Sequence, residues 1–452
     1  MKLRYLYDSF LRATVQEVTV FDATLKREAD EMLKIMKQFN GIGLSGNQVG
    51  LDKRMIVCGY EPLDKKDDFP RIPETVLINP KIVKYSKDKI VFTEGCLSFP
   101  GLELPVERPA KIVVEAQDLN GKKITIKAGG LLSRIIQHET DHLDGIIFSD
   151  RTNAYKDIAN ARFARIVFLG SDDFSATIFD ALLEAKLGTI AIITETAKPA
   201  GRGRELQEPV MANLAKRNNL AVFQPETKVE LTEIVKQLQP DLLILASYGR
   251  ILPEETLNIP AYGSLNIHPS LLPKYRGATP IQSAILGGER ETGVTLMVMN
   301  PVVDEGEIVA QEKNAIASNE TTTSLKEKAA RTGAGLLIKN LPIYLSGQSR
   351  LEKQTSSEVS ATKKLTKEMG EIDWQNSAEV IDRQIRALNP WPGTFTWLGN
   401  QRLKILEVIL HGDRLELVTV QLEGKKPADW KDFVRGHEQE LTKTDWYGKI
   451  TK

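Results

Sequence analysis

Ile166-Val167-Phe168-Leu169-Gly170 is a short apolar run closed by glycine, and its reading decides how the chain is divided. Four apolar residues in succession suit a strand buried on both faces, as in a parallel sheet covered by helices. Downstream, helix and strand signals alternate: helices over 175–185, 209–218 and 229–237, strands over 188–194, 220–223 and 241–246. That alternation predicts an α/β doubly wound, Rossmann-type domain over 161–350. The first strand is followed by Gly170-Ser171-Asp172-Asp173-Phe174 rather than by the glycine fingerprint of dinucleotide binding, which disfavours a nicotinamide enzyme.

Upstream the pattern changes. A helical period over 25–39 precedes the glycine-rich stretch Gly41 to Gly50, read as a loop. Strand-like runs follow at 54–58, 75–78, 90–92, 112–116 and 123–126. This is a small α+β domain over 1–160. It contains His138-Glu139-Thr140-Asp141-His142, in which two histidines four apart project from one face of a helix, a turn apart. Such a pair clamps a divalent metal, and the carboxylate of Glu139 beside it supplies a general base. The bland alternative is an amphipathic helix with two surface histidines. Cys96 offers the third donor that a tetrahedral site needs when its fourth position carries water.

The second half has its own chemical stretch, Ser264-Leu265-Asn266-Ile267-His268, whose alternation puts Asn266 and His268 on one face of an extended segment. No Gly- or Ser-rich tether separates the first two domains, so a short seam over 153–165, helical by its alanine spacing, is expected, and free tumbling of the halves is not. Residues 348–360 are polar and turn-rich, a linker to strands at 395–398, 403–408 and 415–420, a small β-domain over 361–445. The last dozen residues are expected to fray.

At 452 residues the chain has room for several cores, and 41% hydrophobic with 27% charged residues is a globular composition. Lys and Arg total 60, as do Asp and Glu, so a nucleic acid would have to be held by a local patch. Two cysteines, Cys58 and Cys96, exclude a disulfide framework, and no apolar run reaches the ~20 residues of a membrane span; a cytoplasmic location is expected.

GIGLSGNQ at 41–48, EGCLS at 94–98 and QHETDHLDG at 137–145 resemble, in order, the three motifs of the peptide deformylases. The resemblance implies Cys96, His138 and His142 as ligands of Fe(II) or Zn(II), and Glu139 as general acid and base. It also implies Gln48 and the backbone N–H of Leu97 as oxyanion donors for hydrolysis of N-formylmethionyl nascent peptides at the ribosome. Ser45 and Gly46 stand where that family usually has alanines.

The second half resembles the methionyl-tRNA formyltransferases, through KPAGRG at 198–203, SLNIHPSLLPKYRGATPIQ at 264–282, ETGVTLM at 291–297, KLTKEMGEIDW at 364–374 and LNPWPGTFT at 388–396. That implies Asn266, His268 and Asp304 as catalytic residues, and Ser270, Leu271, Leu272 and Pro273 as the loop holding 10-formyltetrahydrofolate. It further implies Lys198, Arg202 and Arg204 on a loop that meets initiator Met-tRNA, and an OB-like C-terminal domain that contacts the tRNA. Met299 to Val303 replace the family's acidic, glycine-containing turn before Asp304. Two alternatives remain at the level of sequence: a folate-dependent transferase acting on another amine, such as an amino-sugar nucleotide, and a degenerate deformylase-like domain that only binds.

Overall fold

A computed structural model of the chain describes residues 1–5, 8–62, 69–152, 154, 164–200 and 205–451. The first part is a five-stranded antiparallel sheet, ordered Gly43–Ser45, Met55–Tyr60, Ile72–Tyr85, Lys111–Gln117, Lys123–Gly129, with a separate ribbon of Lys89–Cys96 and Phe99–Pro109. Helix Ala23–Gln38 packs on it, started by the Asp22 side chain, which accepts from the backbone N–H groups of Thr24 and Leu25. Helix Gly130–Leu143 carries both histidines of the clamp, and every residue from Ile135 to Leu143 is buried.

The glycine-rich stretch is only partly the expected loop. Gly43–Ser45 pairs antiparallel with Ile56 to Cys58 and is fully buried.

Ile166–Leu169 is a buried parallel strand, as expected. It lies third in a seven-stranded sheet ordered Ala221–Phe223, Thr189–Ile193, Ile166–Leu169, Leu242–Leu245, Ser264–His268, Glu291–Val298, Ile308–Ala315; the first five are parallel and the last two antiparallel. Alternation divides the strand between two cores. Ile166 and Phe168 pack with Ile178 and Leu337 of helices Asp173–Glu184 and Thr322–Leu345, whereas Val167 and Leu169 pack with Leu231 and Val235 of helix Lys228–Leu238.

The C-terminal part is a small antiparallel β-domain, Thr394–Leu398, Gln401–His411, Arg414–Leu422 and Ala428–Asp429, with helices Ala378–Leu388 and Trp430–Leu441. Its end is not frayed. Ile450 pairs with Leu415, and Trp446 is buried, stacked 5.1 Å from Trp374. The indole needs that apolar partner, and satisfying it ties the terminus down. The expected seam helix falls on residues 153 and 155–163, outside the described residues.

The first two domains share one core. Phe99, Leu104, Ile147 and Phe148 belong to the same buried cluster as Tyr262, Tyr344 and Leu345. The Tyr262 hydroxyl donates to the Pro100 carbonyl at 2.9 Å, and Ser149 Oγ donates to the carbonyl of Ser346.

Candidate active sites

In the first domain the helix brings the two imidazoles together, with ring centroids 4.9 Å apart. Cys96, at the end of its strand, places Sγ 3.2 Å from His142 Nε2, and the three donor atoms lie within 4.8 Å of one another. Glu139 faces the same cavity, along with Gln48 and Leu97. Burial pushes the Glu139 carboxyl up to about 7, against the opposing pull of His138. The Gln48 side-chain amide points its nitrogen at Cys96 Sγ, 3.4 Å, and Ser98 Oγ, 3.2 Å. Its oxygen is held by the backbone N–H of Ser45, with the Ser45 hydroxyl also 2.9 Å away. Ser45 therefore helps to orient the amide.

In the second domain Asn266 and His268 line a cavity of about 570 Å³ together with Asp304. His268 Nε2 is 3.0 Å from the Tyr275 carbonyl. A carbonyl only accepts, so Nε2 carries the proton of this contact and Nδ1 is left as the basic nitrogen of the neutral ring. Nδ1 lies 3.7 Å from Asp304 Oδ2, an ion-pair separation longer than a hydrogen bond. Asp304 sits at φ 53° and is anchored nonetheless: Oδ2 accepts from the Gly277 N–H at 2.8 Å, and its carbonyl accepts from Gln354 Nε2 at 2.9 Å. Ser270 to Pro273 are not among the residues lining this cavity. They run beside it, pinned by Thr295 and Gln311, which hold the carbonyls of Ser270 and Leu272. Lys198 stands on a short hairpin pairing 198–200 with 205–207; its side chain, and Arg202 and Arg204 entirely, lie outside the described residues.

Family models match in chain order: polypeptide deformylase over residues 1–157, formyl transferase over 164–341 and the formyl transferase C-terminal domain over 364–414. The methionyl-tRNA formyltransferase of Marinobacter nauticus is 38% identical over 303 residues, covering 61% of this chain and 97% of that protein. That of Chloroflexus aggregans is 40% identical over 306 residues, covering 62% and 99%. The chain belongs to the methionyl-tRNA formyltransferase family, with a peptide deformylase domain fused ahead of it. Among solved structures, the Synechococcus elongatus peptide deformylase in complex with actinonin is 41% identical, covering 36% of this chain and 85% of that one, with a TM-score of 0.33. Plant peptide deformylase 1B from Arabidopsis thaliana is also 41% identical, covering 34% and 81%, with a TM-score of 0.31.

The donor set of the deformylase domain suits a divalent metal. Two imidazoles and a thiol converge, and both Glu139 Oε2 and His142 Nδ1 are buried with no hydrogen-bond partner among the described residues. Behind the donors stands a charge network that the motifs did not reveal. His138 Nδ1 donates to Glu94 at 2.9 Å, leaving Nε2 free as a ligand atom. Glu94 also accepts from Arg108 at 2.7 and 2.9 Å and from Arg134 at 2.8 Å, and Arg108 reaches Asp141 at 2.6 Å. Burial alone would raise the Glu94 carboxyl, but the His138 and Arg108 hydrogen bonds hold it well below the usual range. One signal of this was present in the sequence: Arg108 continues the inward alternation of Leu102, Leu104 and Val106, a position where a cation needs a buried anion.

Gln354 is the corresponding omission in the transferase domain. It belongs to the stretch read as a linker, yet its amide nitrogen holds the carbonyls of Asp304 and Gly306 while its oxygen accepts from Arg276.

Proposed function

We propose that residues 1–160, 161–350 and 361–445 act as deformylase, transferase and tRNA-contacting domains of one cytoplasmic enzyme. In this reading the transferase formylates initiator Met-tRNA, and the deformylase strips formyl from nascent peptides leaving the ribosome. The observation that supports it best is that both sets of reactive side chains are intact: Cys96, His138 and His142 converge beside one cavity that Glu139 and Gln48 line, and Asn266, His268 and Asp304 line another. Consistent with a protein of the aqueous phase, no helix among the described residues is long and apolar enough to cross a membrane.

In the deformylase site Cys96, His138 and His142 would hold Fe(II) or Zn(II), for which a thiolate and two imidazoles are equally suited. Such a metal supplies Lewis acidity and lowers the pKa of nearby water. Glu139, near neutrality in pKa, accepts the proton of the attacking water. As the water oxygen bonds to the formyl carbon, the Gln48 amide and the Leu97 N–H donate to the carbonyl oxygen that becomes negative. The bond from formyl carbon to the methionyl nitrogen then breaks, and Glu139 returns its proton to that nitrogen, releasing formate and a free amine.

In the transferase site the methionyl α-amine attacks the formyl carbon of 10-formyltetrahydrofolate, and the bond from that carbon to the folate nitrogen breaks. The Asn266 amide polarises the formyl oxygen and His268 Nδ1 takes the amine proton, which ends on the departing folate. Asp304 positions the imidazole and the Gly277 turn beside it. The pinned loop from Ser270 to Pro273 is assigned to the donor pocket, fixing His268 and Pro269 from behind. Lys198, Arg202 and Arg204 are assigned to tRNA phosphates.

Assays of formyl transfer to Met-tRNA and of formyl release from a formyl-Met peptide test the scheme. Glu139→Ala is expected to lose release by about 10²-fold or more while keeping transfer, and His268→Ala the reverse. Metal quantification belongs with them: Cys96→Ala is expected to lose the bound metal. A His268→Ala chain that transfers formyl normally would refute the assignment of the second site.

A further inference from the structure

The cavity of about 950 Å³ lined by Cys96, His138 and Glu139 is not enclosed by the deformylase domain alone. On one side it is lined by Arg165, Gln239, Asp241, Ile259 and Ala261, all from the transferase domain. These residues stand at the starting ends of the parallel strands Ile166–Leu169 and Leu242–Leu245 and before Ser264–His268. The wall is fixed in place. Asp241 accepts from the Arg165 N–H through its carboxylate and from the Tyr262 N–H through its carbonyl, both at 2.8 Å. Tyr262 in turn bonds Pro100 across the domain boundary, and Pro100 lines the same cavity.

The chemistry of the wall is that of a peptide subsite. Lys236 also borders the cavity, but its ammonium is held by Glu233 and Glu255 at 2.9 and 2.8 Å, so it presents little net charge. Arg165 is exposed, and of its guanidinium nitrogens only Nη2 has a hydrogen-bond partner among the described residues, the Leu238 carbonyl at 2.8 Å, which leaves further donors. Gln239 is exposed and offers an amide with both a donor and an acceptor. Ile259 and Ala261 add apolar surface between them. Hydrogen-bonding groups interspersed with apolar surface match an extended peptide, which offers amides and side chains in turn.

We propose that this wall is a downstream subsite of the deformylase: Arg165 and Gln239 bind the backbone of the residues that follow formyl-methionine. The proposal rests on the deformylase reading above. It makes the transferase domain a specificity determinant for the other domain's substrate, so that longer formyl peptides gain binding that a dipeptide cannot.

The test compares formyl-Met-Ala with a neutral formyl-Met pentapeptide on the metal-loaded full chain, for wild type, Gln239→Ala and the Arg165→Ala/Gln239→Ala pair. One hydrogen bond lost from binding corresponds to about threefold, two to about tenfold. For the pentapeptide, kcat/KM is expected to fall by those factors, while formyl-Met-Ala hydrolysis and formyl transfer stay at wild-type rates. Equilibrium binding of the labelled, already deformylated pentapeptide, which requires no turnover, is expected to weaken in parallel. Equal losses on both peptides, or no loss on the longer one, would overturn the subsite. A wild-type chain that hydrolyses neither peptide would overturn the deformylase reading itself, and the subsite with it.

Discussion

Arg108 shows how far a reactive group depends on residues that never meet the substrate. Its guanidinium bonds Glu94 and Asp141 with side chains almost fully buried, and Glu94 fixes the ring of His138. Replacing Arg108 with Met would keep volume and take one cation from each of two carboxylates, leaving Glu94 to Arg134 and His138 and Asp141 to Arg151. Breaking such a buried pair costs about 3 kcal/mol, and loosening the carboxylate behind a ligating histidine weakens metal binding about 10-fold or more. Calorimetry and chelator competition on Arg108→Met are expected to show both losses, with formyl transfer unaffected below the melting temperature. The donors themselves were legible because a metal demands particular residue types at particular spacings, and Cys96, His138 and His142 satisfy it. The alternation around Arg108 marks it as buried, but its partners were not legible, because they are chosen by the register of the ribbon, in which Glu94 opposes Leu104, and by the helix packed beside it. The basic nitrogen of His268 was equally hidden, since only the Tyr275 carbonyl reveals it.

At the scale of elements, the strand Gly43–Ser45 runs against the clamp helix so closely that a side chain at its first position has no room. A Cβ on Gly43 would meet Glu139 Oε1 at 2.4 Å and Ile135 Cγ2 at 2.8 Å. Gly43→Ala must push the Glu139 carboxylate aside or move the strand, at a cost of about 1–3 kcal/mol for overpacking. If Glu139 is the general base proposed above, formyl release is expected to fall by about an order of magnitude or more, because a displaced carboxylate loses its hydrogen-bond reach, while transfer continues at the normal rate. Dense glycine reads as a loop, and here it permits close approach of a strand to a helix instead. The ribbon strand Phe99–Pro109 was concealed by the opposite kind of punctuation, since Pro100, Gly101, Pro105 and Pro109 all lie within it. A two-stranded ribbon tolerates proline because each strand has an unpaired edge. The first four parallel strands, almost wholly apolar and bounded by helices, were read almost to the residue.

On the scale of the whole molecule, domain order was legible from motifs, but the face on which the domains meet was not. Phe99, Phe148, Tyr262 and Tyr344 look like core residues of their own domains, and only the assembled chain shows them in one cluster. The deformylase docks against the starting ends of the parallel strands, beside Asp241 and Tyr262, whereas Asn266 and His268 lie toward the finishing end. The sheet therefore stands between the two chemistries, separated by roughly 3.3 Å per strand residue. Part of the seam is electrostatic. Asp150 of the first domain is bonded by Arg12 and by Gln348 from beyond helix Thr322–Leu345. Half-burial pushes its carboxyl up, but the Arg12 hydrogen bond, the Ile147 N–H and Gln348 together hold it below the ordinary value. A carboxyl depressed in the folded state contributes stability that is complete above the unfolded pKa of about 4 and disappears as pH falls through the lower folded pKa. Wild type is thus expected to melt above Asp150→Asn at pH 7, and the gap is expected to close as the pH is lowered from about 4 toward the folded pKa. Calorimetric melting of both proteins across pH 7 to 2.5 measures it, and a gap that is constant with pH would show that Asp150 supports the seam by shape rather than by charge.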